Sequence, residues 1–466
     1  MKKTESGLKQ ERRLKNYRLF LWFIMFASLA AICIILLIDI YKTVPDTIYV
    51  KAGEESTLSL HVPLSGTLTV QKTMTGGNED EWNEGRTTDK RDVSLNIEND
   101  SANSAVEAGT QGTMDGISVD LSRNVTLSAG TRSSYTMNLK LFGVIPFKTV
   151  RIEVIDNEML YPVGMPIGIY VRTRGVLVVG TGEFADQNGN TVMPSQHLLQ
   201  TGDYILSVDG TAIEGKTDFV GRVAQSDGKA MVMTIERDGQ QFDIGIHAVK
   251  NESGQYKLGI WIKDSAQGIG TLTYADTDGT FGALGHGVSD SDIGVLLQLR
   301  DGALYHTDIV GITKGSKGAP GELTGIIRYT EGNYLGEVTD NSNVGIHGTV
   351  EERIMQSLTS EPLPIGLKQD IRKGPAQIYC CVDGEAEYYD IEITGIEFDN
   401  DNINKSITIE VTDKKLLALT GGIIQGMSGS PIIQDGRFVG AVTHVLVNDP
   451  AKGYGIFIED MLSHNE

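Results

Sequence analysis

The stretch Gly426-Met427-Ser428-Gly429-Ser430-Pro431 stands between two apolar runs, residues 422–424 (GII) and 432–433 (II). A small serine between glycines, closed by a proline, predicts a tight turn that lifts the hydroxyl clear of its neighbours, because glycine adopts backbone conformations that other residues resist. Glycine also lets a carbonyl group approach the main-chain N–H groups of Gly426 and Ser428, which is the arrangement of an oxyanion hole. Plain turns share this composition, so the stretch alone favours neither interpretation.

A second glycine-bounded residue lies far upstream. His286 stands in the run 282–290 (GALGHGVSD), with no apolar face on which to pack. Serine is a poor nucleophile until a base removes its proton, and histidine titrates near neutral pH. We therefore interpret His286 as a candidate general base; a loop histidine without function is the alternative. His444, on an apolar strand after the serine, remains a rival base.

A carboxylate is expected to orient the imidazole. Asp413 precedes Ser428 by 15 positions and is the first candidate, although a surface charge is the simpler interpretation of its position. Asp290, Asp292 and Asp308 remain rivals.

The chain resembles the SpoIVB peptidases, the sporulation signalling serine proteases of endospore-forming bacteria, from about residue 159 to its end. The resemblance lies in the ordered runs 258–264, 268–273, 281–292, 426–431, 440–445 and 453–457. It implies His286 as general base, Ser428 as nucleophile and Asp413 as the orienting acid, with oxyanion donors at Gly426 and Ser428. It also implies a chymotrypsin-like double β-barrel over residues 257–466, after a polar linker, and no cofactor or metal.

The net charge of −21 and the pI near 4.8 argue against a nucleic-acid partner, whose phosphates would be repelled. Residues 1–18 nevertheless carry +5. Residues 19–38 contain no charged residue, and a helix of these 20 residues is long enough to span roughly 30 Å of hydrocarbon. We predict a cytoplasmic basic head at 1–18, a transmembrane signal anchor at 19–40, and export of everything that follows. A cleaved signal peptide is the alternative.

Residues 41–157 are predicted as an extracytoplasmic β-rich region, because segments such as 47–51 (TIYVK) and 149–154 (TVRIEV) alternate as strands do. Within it, residues 76–116 are poor in large apolar residues and are predicted to be a disordered insertion. Of the three cysteines, Cys33 falls in the apolar span and the adjacent Cys380 and Cys381 are expected to be buried strand residues.

Residues 158–250 are predicted as a PDZ-like domain. The run 202–210 (GDYILSVDG) is similar to a strand and turn of PDZ domains, and 217–225 (TDFVGRVAQ) is a candidate amphipathic helix. PDZ domains bind peptide C-termini at a sheet edge, with the carboxylate held by backbone N–H groups of a loop. The loop residues predicted for this role are Gly164, Ile167, Gly168 and Ile169.

The fold class is therefore mainly β. We expect a membrane-anchored, self-processing serine endopeptidase, exported to the space between the two membranes around a forespore. The resemblance implies cleavage of a membrane-bound regulator of an intramembrane protease, and so late sigma factor activation during sporulation. It also implies that the protein's own N-terminal region is a substrate. The alternative is a PDZ-bearing membrane sensor that binds peptides without cutting them.

Overall fold

The computed structural model of the protein describes residues 5–58, 60–70, 95–99, 102–104, 117–129, 134–155, 158–398 and 402–463. They form two compact units. The first contains the described residues up to 155 together with 397–398, and the second contains residues 158–396 and 402–463. Most described elements outside the N-terminal helix are β-strands, so the mainly β fold class is confirmed.

The first element is the helix α1, Glu5–Thr43. Its part from Tyr17 to Thr43 contains an apolar window of 18 residues with a mean hydropathy of 2.9, and no residue of that window is buried. The predicted span at 19–40 lies inside it. By length and composition this helix can cross a membrane, and a signal sequence would show the same properties.

The rest of the first unit consists of two mainly antiparallel sheets that pack around one apolar core. Its strands are β1 (Thr47–Lys51), β2 (Glu55–Leu58), β3 (Leu64–Val70), β4 (Leu95–Asn99), β5 (Ala102–Ser104), β6 (Ile117–Asp120), β7 (Val125–Ala129), β8 (Ser134–Leu141) and β9 (Ile145–Ile155). The sheets have the orders β1-β9-β8-β3-β6 and β2-β7-β4-β5. The alternating inward side chains of β8 and β9, such as Leu139 and Ile152, are fully buried between them.

The insertion predicted to be disordered, 76–116, is only partly covered. Its described residues form β4 and β5, so the prediction is wrong for 95–99 and 102–104. There β4 pairs with β7 and β5 pairs with β4, which gives the backbone its hydrogen bonds. The remainder of the predicted insertion lies outside the described residues.

The second unit is larger and contains strands β10–β31 and helices α2–α5. In order they are β10 (Met159–Thr181), β11 (Phe184–Ala185), β12 (Thr191–Val192), β13 (Tyr204–Val208), β14 (Thr211–Ala212), α2 (Lys216–Gln225), β15 (Ala230–Arg237), β16 (Gln240–His247), β17 (Val249–Lys250), β18 (Tyr256–Lys257), β19 (Ile260–Ala275), β20 (Thr280–Ala283), β21 (Leu299–Thr313), β22 (Glu322–Ile327), β23 (Tyr334–Ser342), β24 (Gly345–Val350), α3 (Glu352–Ser357), β25 (Leu363–Pro364), β26 (Gly374–Cys381), β27 (Ala386–Ile396), β28 (Ile407–Val411), α4 (Lys414–Thr420), β29 (Pro431–Gln434), β30 (Arg437–Val445), β31 (Lys452–Phe457) and α5 (Ile458–Leu462). Short 3₁₀ helices lie at Glu331–Asn333, Lys368–Asp370 and Ile403–Lys405.

Two six-stranded barrels dominate this unit. In the first barrel, the strand path β10-β19-β20-β24-β23-β21 closes on itself because β21 also pairs with β10. The second barrel is closed in the order β26-β27-β28-β31-β30-β29. Closure leaves no free sheet edge within either ring. The predicted double β-barrel is thereby confirmed.

Cys380 and Cys381 lie at the end of β26. Cys380 is fully buried, Cys381 is half-buried, and both are free thiols. They are strand residues of the second barrel, as predicted.

The PDZ-like module comprises residues 175–263. Its sheet runs β16-β15-β13, then the second half of β10, then the first residues of β19. The amphipathic helix α2 packs Phe219 and Val223 into the core of this sheet. The helix predicted at 217–225 is therefore present, one residue longer at its start.

The module is inserted between the first two strands of the first barrel. Strand β10 pairs with β19 and β21 in the barrel up to Thr173, and with β13 in the module from Val176. The sequence predicts a PDZ-like domain at 158–250 and a peptidase domain from 257. That division assigns all of β10 to the PDZ-like domain, whereas the first half of β10 is a strand of the first barrel. The difference arises because strand partners far apart in sequence leave no local signal in the chain.

Candidate active site

The turn that carries Ser428 joins α4 to β29 in the second barrel. Gly426 and Gly429 have φ values of +99° and +97°, which L-residues rarely adopt. A Cβ on Gly429 would come 2.3 Å from the carbonyl oxygen of Thr271, so only glycine fits there. The Ser430 hydroxyl donates to the carbonyl of Met427 at 2.7 Å and tightens the turn.

Thr271, on β19 of the first barrel, holds this turn. Its N–H donates to the carbonyl of Ser428 at 3.0 Å, and its hydroxyl donates to the carbonyl of Gly426 at 2.8 Å. Its own carbonyl accepts from the N–H of Leu284 at 3.2 Å, two positions before His286. One residue therefore fixes both glycine-bounded segments at the junction of the barrels.

His286 and Ser428 line the same cleft, the catalytic cleft, which has a volume of about 490 Å³. Nδ1 of His286 lies 3.1 Å from the carbonyl oxygen of Gly287. A carbonyl can only accept, so Nδ1 carries the proton and Nε2 keeps the lone pair that a general base needs. The Ser428 hydroxyl donates to the carbonyl of Thr443 at 2.7 Å.

Burial lowers the pKa of His286 below its ordinary value, against a smaller opposing effect of its hydrogen bond with Gly287. The imidazole is therefore neutral near pH 7, which is the form that accepts a proton.

Two N–H groups of the turn make no hydrogen bond to the described residues. The amides of Met427, Gly429 and Ser430 donate to backbone carbonyls. Within the part of the chain that the structure describes, the amides of Gly426 and Ser428 donate to no acceptor. Gly426 and Ser428 are the two residues whose N–H groups the sequence analysis predicts as oxyanion donors.

The structure places Asp413 in a different role from the predicted orienting acid. Asp413 is the N-cap of α4, and its Oδ1 accepts from the N–H of Leu416 at 2.9 Å. No carboxylate among the described residues forms an ion pair or hydrogen bond with the ring of His286. Asp413 therefore caps a helix in this structure, and no contact among the described residues supports its predicted role as the orienting acid.

The three rival carboxylates are also engaged elsewhere. Asp290 is buried and pairs with Lys263 at 2.8 Å, while it accepts from the N–H groups of Asp292 and Ile293. Asp292 pairs with the same lysine at 2.8 Å. Asp308 pairs with Arg328 at 3.1 Å. None of the three orients His286.

His444, the rival base, lies beside His286 with ring centroids 5.1 Å apart. Partial removal from water, together with the charges of His286 and Lys405, lowers the pKa of His444 to about 4. It lines the cleft as a neutral ring.

Asn404, which sequence reasoning missed, connects the two catalytic segments. Its Nδ2 donates to the carbonyl of Gly285 at 2.6 Å, directly before His286. The backbone carbonyl of Asn404 accepts a hydrogen bond from the hydroxyl of Thr443. The backbone carbonyl of Thr443 in turn accepts from the Ser428 hydroxyl. Its position in a polar run, 399–405, carries no signal that would have distinguished it from a loop asparagine.

The predicted carboxylate-binding loop of the PDZ-like domain is corrected. Residues 164–169 belong to β10 inside the first barrel, where Ile167 pairs with Gly270 on one side and His306 on the other. From Ile167 to Ile169 both edges of the strand are occupied, which leaves no edge there for a peptide. At Gly168 a Cβ would meet Ile327 at 2.5 Å, which explains the glycine by packing.

A groove suited to a peptide lies instead between α2 and β19. Its apolar lining includes Phe219, Val223, Ile260 and Trp261, and charged residues, among them Lys216 and Asp292, also line it. The pairings of β19 over Ile260–Lys263 are all with β10, on one side of the strand. This geometry is that of a sheet edge beside a helix.

Residues 254–462 match the sequence profile described as SpoIVB peptidase S55. Over this segment, which is less than half of the chain, the protein resembles the SpoIVB peptidase S55 family. The chain is therefore a serine peptidase, and the binding-only alternative is set aside. The matched SpoIVB-type segment begins after β10, so it lacks one strand of the barrel that carries His286.

Three solved structures are similar to parts of the chain. The PDZ domain of the SdrC-like protein Lmo2051 from Listeria monocytogenes is 19% identical, covers 19% of this chain and 87% of its own, and has a TM-score of 0.16. The Rv3671c protease from M. tuberculosis is 13% identical, covering 42% of this chain; the active form is covered over 72% with a TM-score of 0.26, and the inactive form over 81% with 0.24. No curated protein sequence matches the chain significantly.

Proposed function

We propose that the protein is a membrane-anchored, self-processing serine endopeptidase in which His286 and Ser428 act without an orienting carboxylate. The observation that carries this proposal is that the two residues line one cleft, on loops that Thr271 fixes from the first barrel. The carbonyl of Gly287 takes the place of the acid, because it selects the tautomer with a basic Nε2.

The reaction begins when the Ser428 hydroxyl turns from Thr443 toward His286. Nε2 takes the hydroxyl proton as Oγ bonds to the peptide carbonyl carbon, and the N–H groups of Gly426 and Ser428 receive the negative charge on the carbonyl oxygen. The imidazolium then gives its proton to the leaving amine as the C–N bond breaks. Water, deprotonated by the same nitrogen, releases the acyl group from Ser428.

The apolar helix and its basic head support anchoring with the catalytic part exported. The family match supports a place in sporulation signalling, with a membrane-bound regulator of an intramembrane protease as substrate and late sigma factor activation as the result. The space between the two forespore membranes is the compartment that fits this role.

Self-processing in the N-terminal region can be tested with the full chain in lipid vesicles. The wild-type protein should release a soluble fragment with time, and Ser428→Ala should stay membrane-bound. Ser357→Ala, in α3 with its hydroxyl bonded to Ile354, is the matched control and should behave as wild type. Equal release by Ser428→Ala would overturn the proposal.

The groove between α2 and β19 is the proposed site for peptide C-termini. Trp261 at its wall is exposed, so its fluorescence should respond when a peptide with an apolar C-terminal residue binds. An amidated peptide of the same sequence is the control, since it lacks the carboxylate that the lysines lining the groove would attract. An equal response to both peptides would contradict C-terminal recognition.

A further inference from the structure

The hairpin formed by β8 and β9 ends in an apolar tip, residues 142–145 (FGVI). Its three large side chains are exposed, Phe142 to 73%, Val144 to 78% and Ile145 to 56%. A hairpin turn that faces water is ordinarily built from glycine, asparagine or aspartate. The tip therefore has the composition of a buried segment in an exposed place.

The backbone of the tip makes the phenylalanine more unusual still. Phe142 has a φ of +51°, which bulky residues rarely adopt, and Gly143 follows with +75°. The N–H of Phe142 donates to the carbonyl of Pro63 at 3.1 Å, and that of Val144 donates to the carbonyl of Leu141 at 3.2 Å. Asparagine would suit this turn better in water, so the turn itself does not explain the phenylalanine.

The base of the same hairpin is fastened to the end of α1. The ring of Phe147 packs edge-on against Tyr41, with ring centroids 5.9 Å apart. Lys148, which is buried, donates to the carbonyl of Val44 at 2.6 Å and pairs with Asp46 at 2.8 Å. The hairpin is therefore held beside the point where the apolar helix ends.

The direction of β9 brings the tip toward the apolar span. Strand β1 leads away from α1 and is parallel to β9, with its first residue opposite Arg151. Followed backward, β9 therefore leads toward the helix, from Arg151 through Phe147 to the tip. Three strand residues separate Phe147 from Val144, roughly 10 Å. Three helical residues separate Tyr41 from Ile38, the last of the uncharged run, roughly 4.5 Å. The tip thus reaches the level of the apolar span.

We propose that the tip 142–145 inserts into the same lipid bilayer that α1 spans and holds the first unit against the membrane surface. The inference rests on the proposed membrane anchoring and adds a second contact with lipid to it. Insertion removes three apolar side chains from water. Three side chains alone bind lipid only reversibly, so a fragment cut away from α1 can still leave the membrane.

The charges around the tip fit the same partner. Lys140, opposite Pro146 in the hairpin, is exposed, and so is Lys42 in the last turn of α1. Cations that flank an apolar segment are attracted by the phosphates of anionic lipids. Tyr41, between Lys42 and the uncharged run, is an aromatic residue of the kind that is enriched at the membrane interface.

The test uses the full chain in vesicles of phosphatidylethanolamine and phosphatidylglycerol that contain a lipid with a diazirine in its acyl chain. After irradiation, mass spectrometry maps the lipid adducts. We expect adducts in α1 and in the segment 141–147. The turn 52–54, at the far end of β1, is the internal control and should carry none.

A charge placed on the tip gives a second measurement. Val144→Asp should lower the yield of adducts at 141–147 by about tenfold and leave the yield in α1 unchanged, because a carboxylate is costly to place in hydrocarbon. Since Val144 is exposed, the variant should keep the melting temperature of the wild type. Thr57→Asp, also exposed but on β2, is the matched control and should keep the wild-type yield at the tip. An equal yield in Val144→Asp and wild type would overturn the inference.

The adducts in α1 separate this inference from the proposed anchoring. Adducts in α1 without adducts at 141–147 would overturn the inference and leave the anchor in place. No adducts in either segment would overturn the membrane anchoring itself. A tip that is covered by a second copy of the chain, detected as a dimer without lipid adducts at the tip, would also overturn the inference.

Discussion

The hydroxyl of Ser428 donates to the carbonyl oxygen of Thr443 at 2.7 Å. The proton that His286 must remove is therefore held by the backbone of β30 in the substrate-free protein. Rotation about one side-chain bond frees it, at a cost of about one ordinary hydrogen bond, roughly 0.5–1.5 kcal/mol. A substrate chain that reaches the cleft beside β30 can compete for the same carbonyl, which links binding to activation of the nucleophile.

Asp413 is expected to matter for stability and not for turnover. Asparagine caps a helix about as well as aspartate, so Asp413→Asn should keep both activity and melting temperature. Asp413→Ala should lose about 0.5–2 kcal/mol of unfolding free energy while it stays active well below its melting temperature. Thermal melts and kcat measured together would check this. A fall of several orders of magnitude in kcat for Asp413→Asn would restore it as the orienting acid.

The acid limb of the activity profile should lie below pH 6.5. The base works only when neutral, and burial lowers the pKa of His286, so activity is lost only at a pH below the usual histidine value. The profile of kcat/KM against pH reports this group in the free enzyme. His444→Ala should leave the midpoint in place, whereas His286→Ala should abolish the activity. A midpoint above 6.5, or activity that depends on His444 alone, would contradict this assignment.

Asn404 is expected to act as a positioning residue. Asn404→Ala removes the bond to Gly285 and frees the segment before His286. We expect kcat to fall on the order of 10- to 100-fold with little change in KM, because small misplacements of catalytic groups are costly. The acid limb should also move up toward pH 6.5 as the ring becomes more exposed.

The matched control for this prediction is Asn333→Ala, which removes a side-chain bond to Thr330 away from the cleft. If Asn404 is merely structural, Asn404→Ala should resemble the control: the melting temperature should fall to a similar extent, but the pH midpoint of kcat/KM should stay where it is.

The sequence predicts the serine turn, the amphipathic α2 and the apolar helix well because each is encoded by neighbouring residues. Gly426 and Gly429 illustrate this, since the positive φ values of the turn favour glycine at both positions. The role of Asp413 could not be read in the same way: an aspartate before a short helix and an aspartate aimed at a histidine look alike in sequence. Likewise, residues 159–173 carry no local mark of their partners, and only the pairing with β19 and β21 shows that Ile167 belongs to the barrel.

The position of β10 leads to a prediction about fragments. A fragment that begins at residue 254, where the family match starts, lacks the strand that closes the first barrel. It leaves the edges of β19 and β21 open and removes the buried Ile167 and Val171. We expect it to aggregate or remain unfolded, while a fragment of residues 158–466 folds and reacts with a fluorophosphonate. Circular dichroism and labelling would compare the two; a folded, reactive 254–466 would contradict the topology.

The measurement that tests the central claim most directly is the rate and site of fluorophosphonate modification, mapped by mass spectrometry on the full chain. In wild type and Asp413→Asn, the adduct should form on Ser428 at similar rates. In His286→Ala the rate should fall by orders of magnitude, because the hydroxyl loses its base. An adduct on another residue, or a rate in His286→Ala equal to that of wild type, would contradict the account.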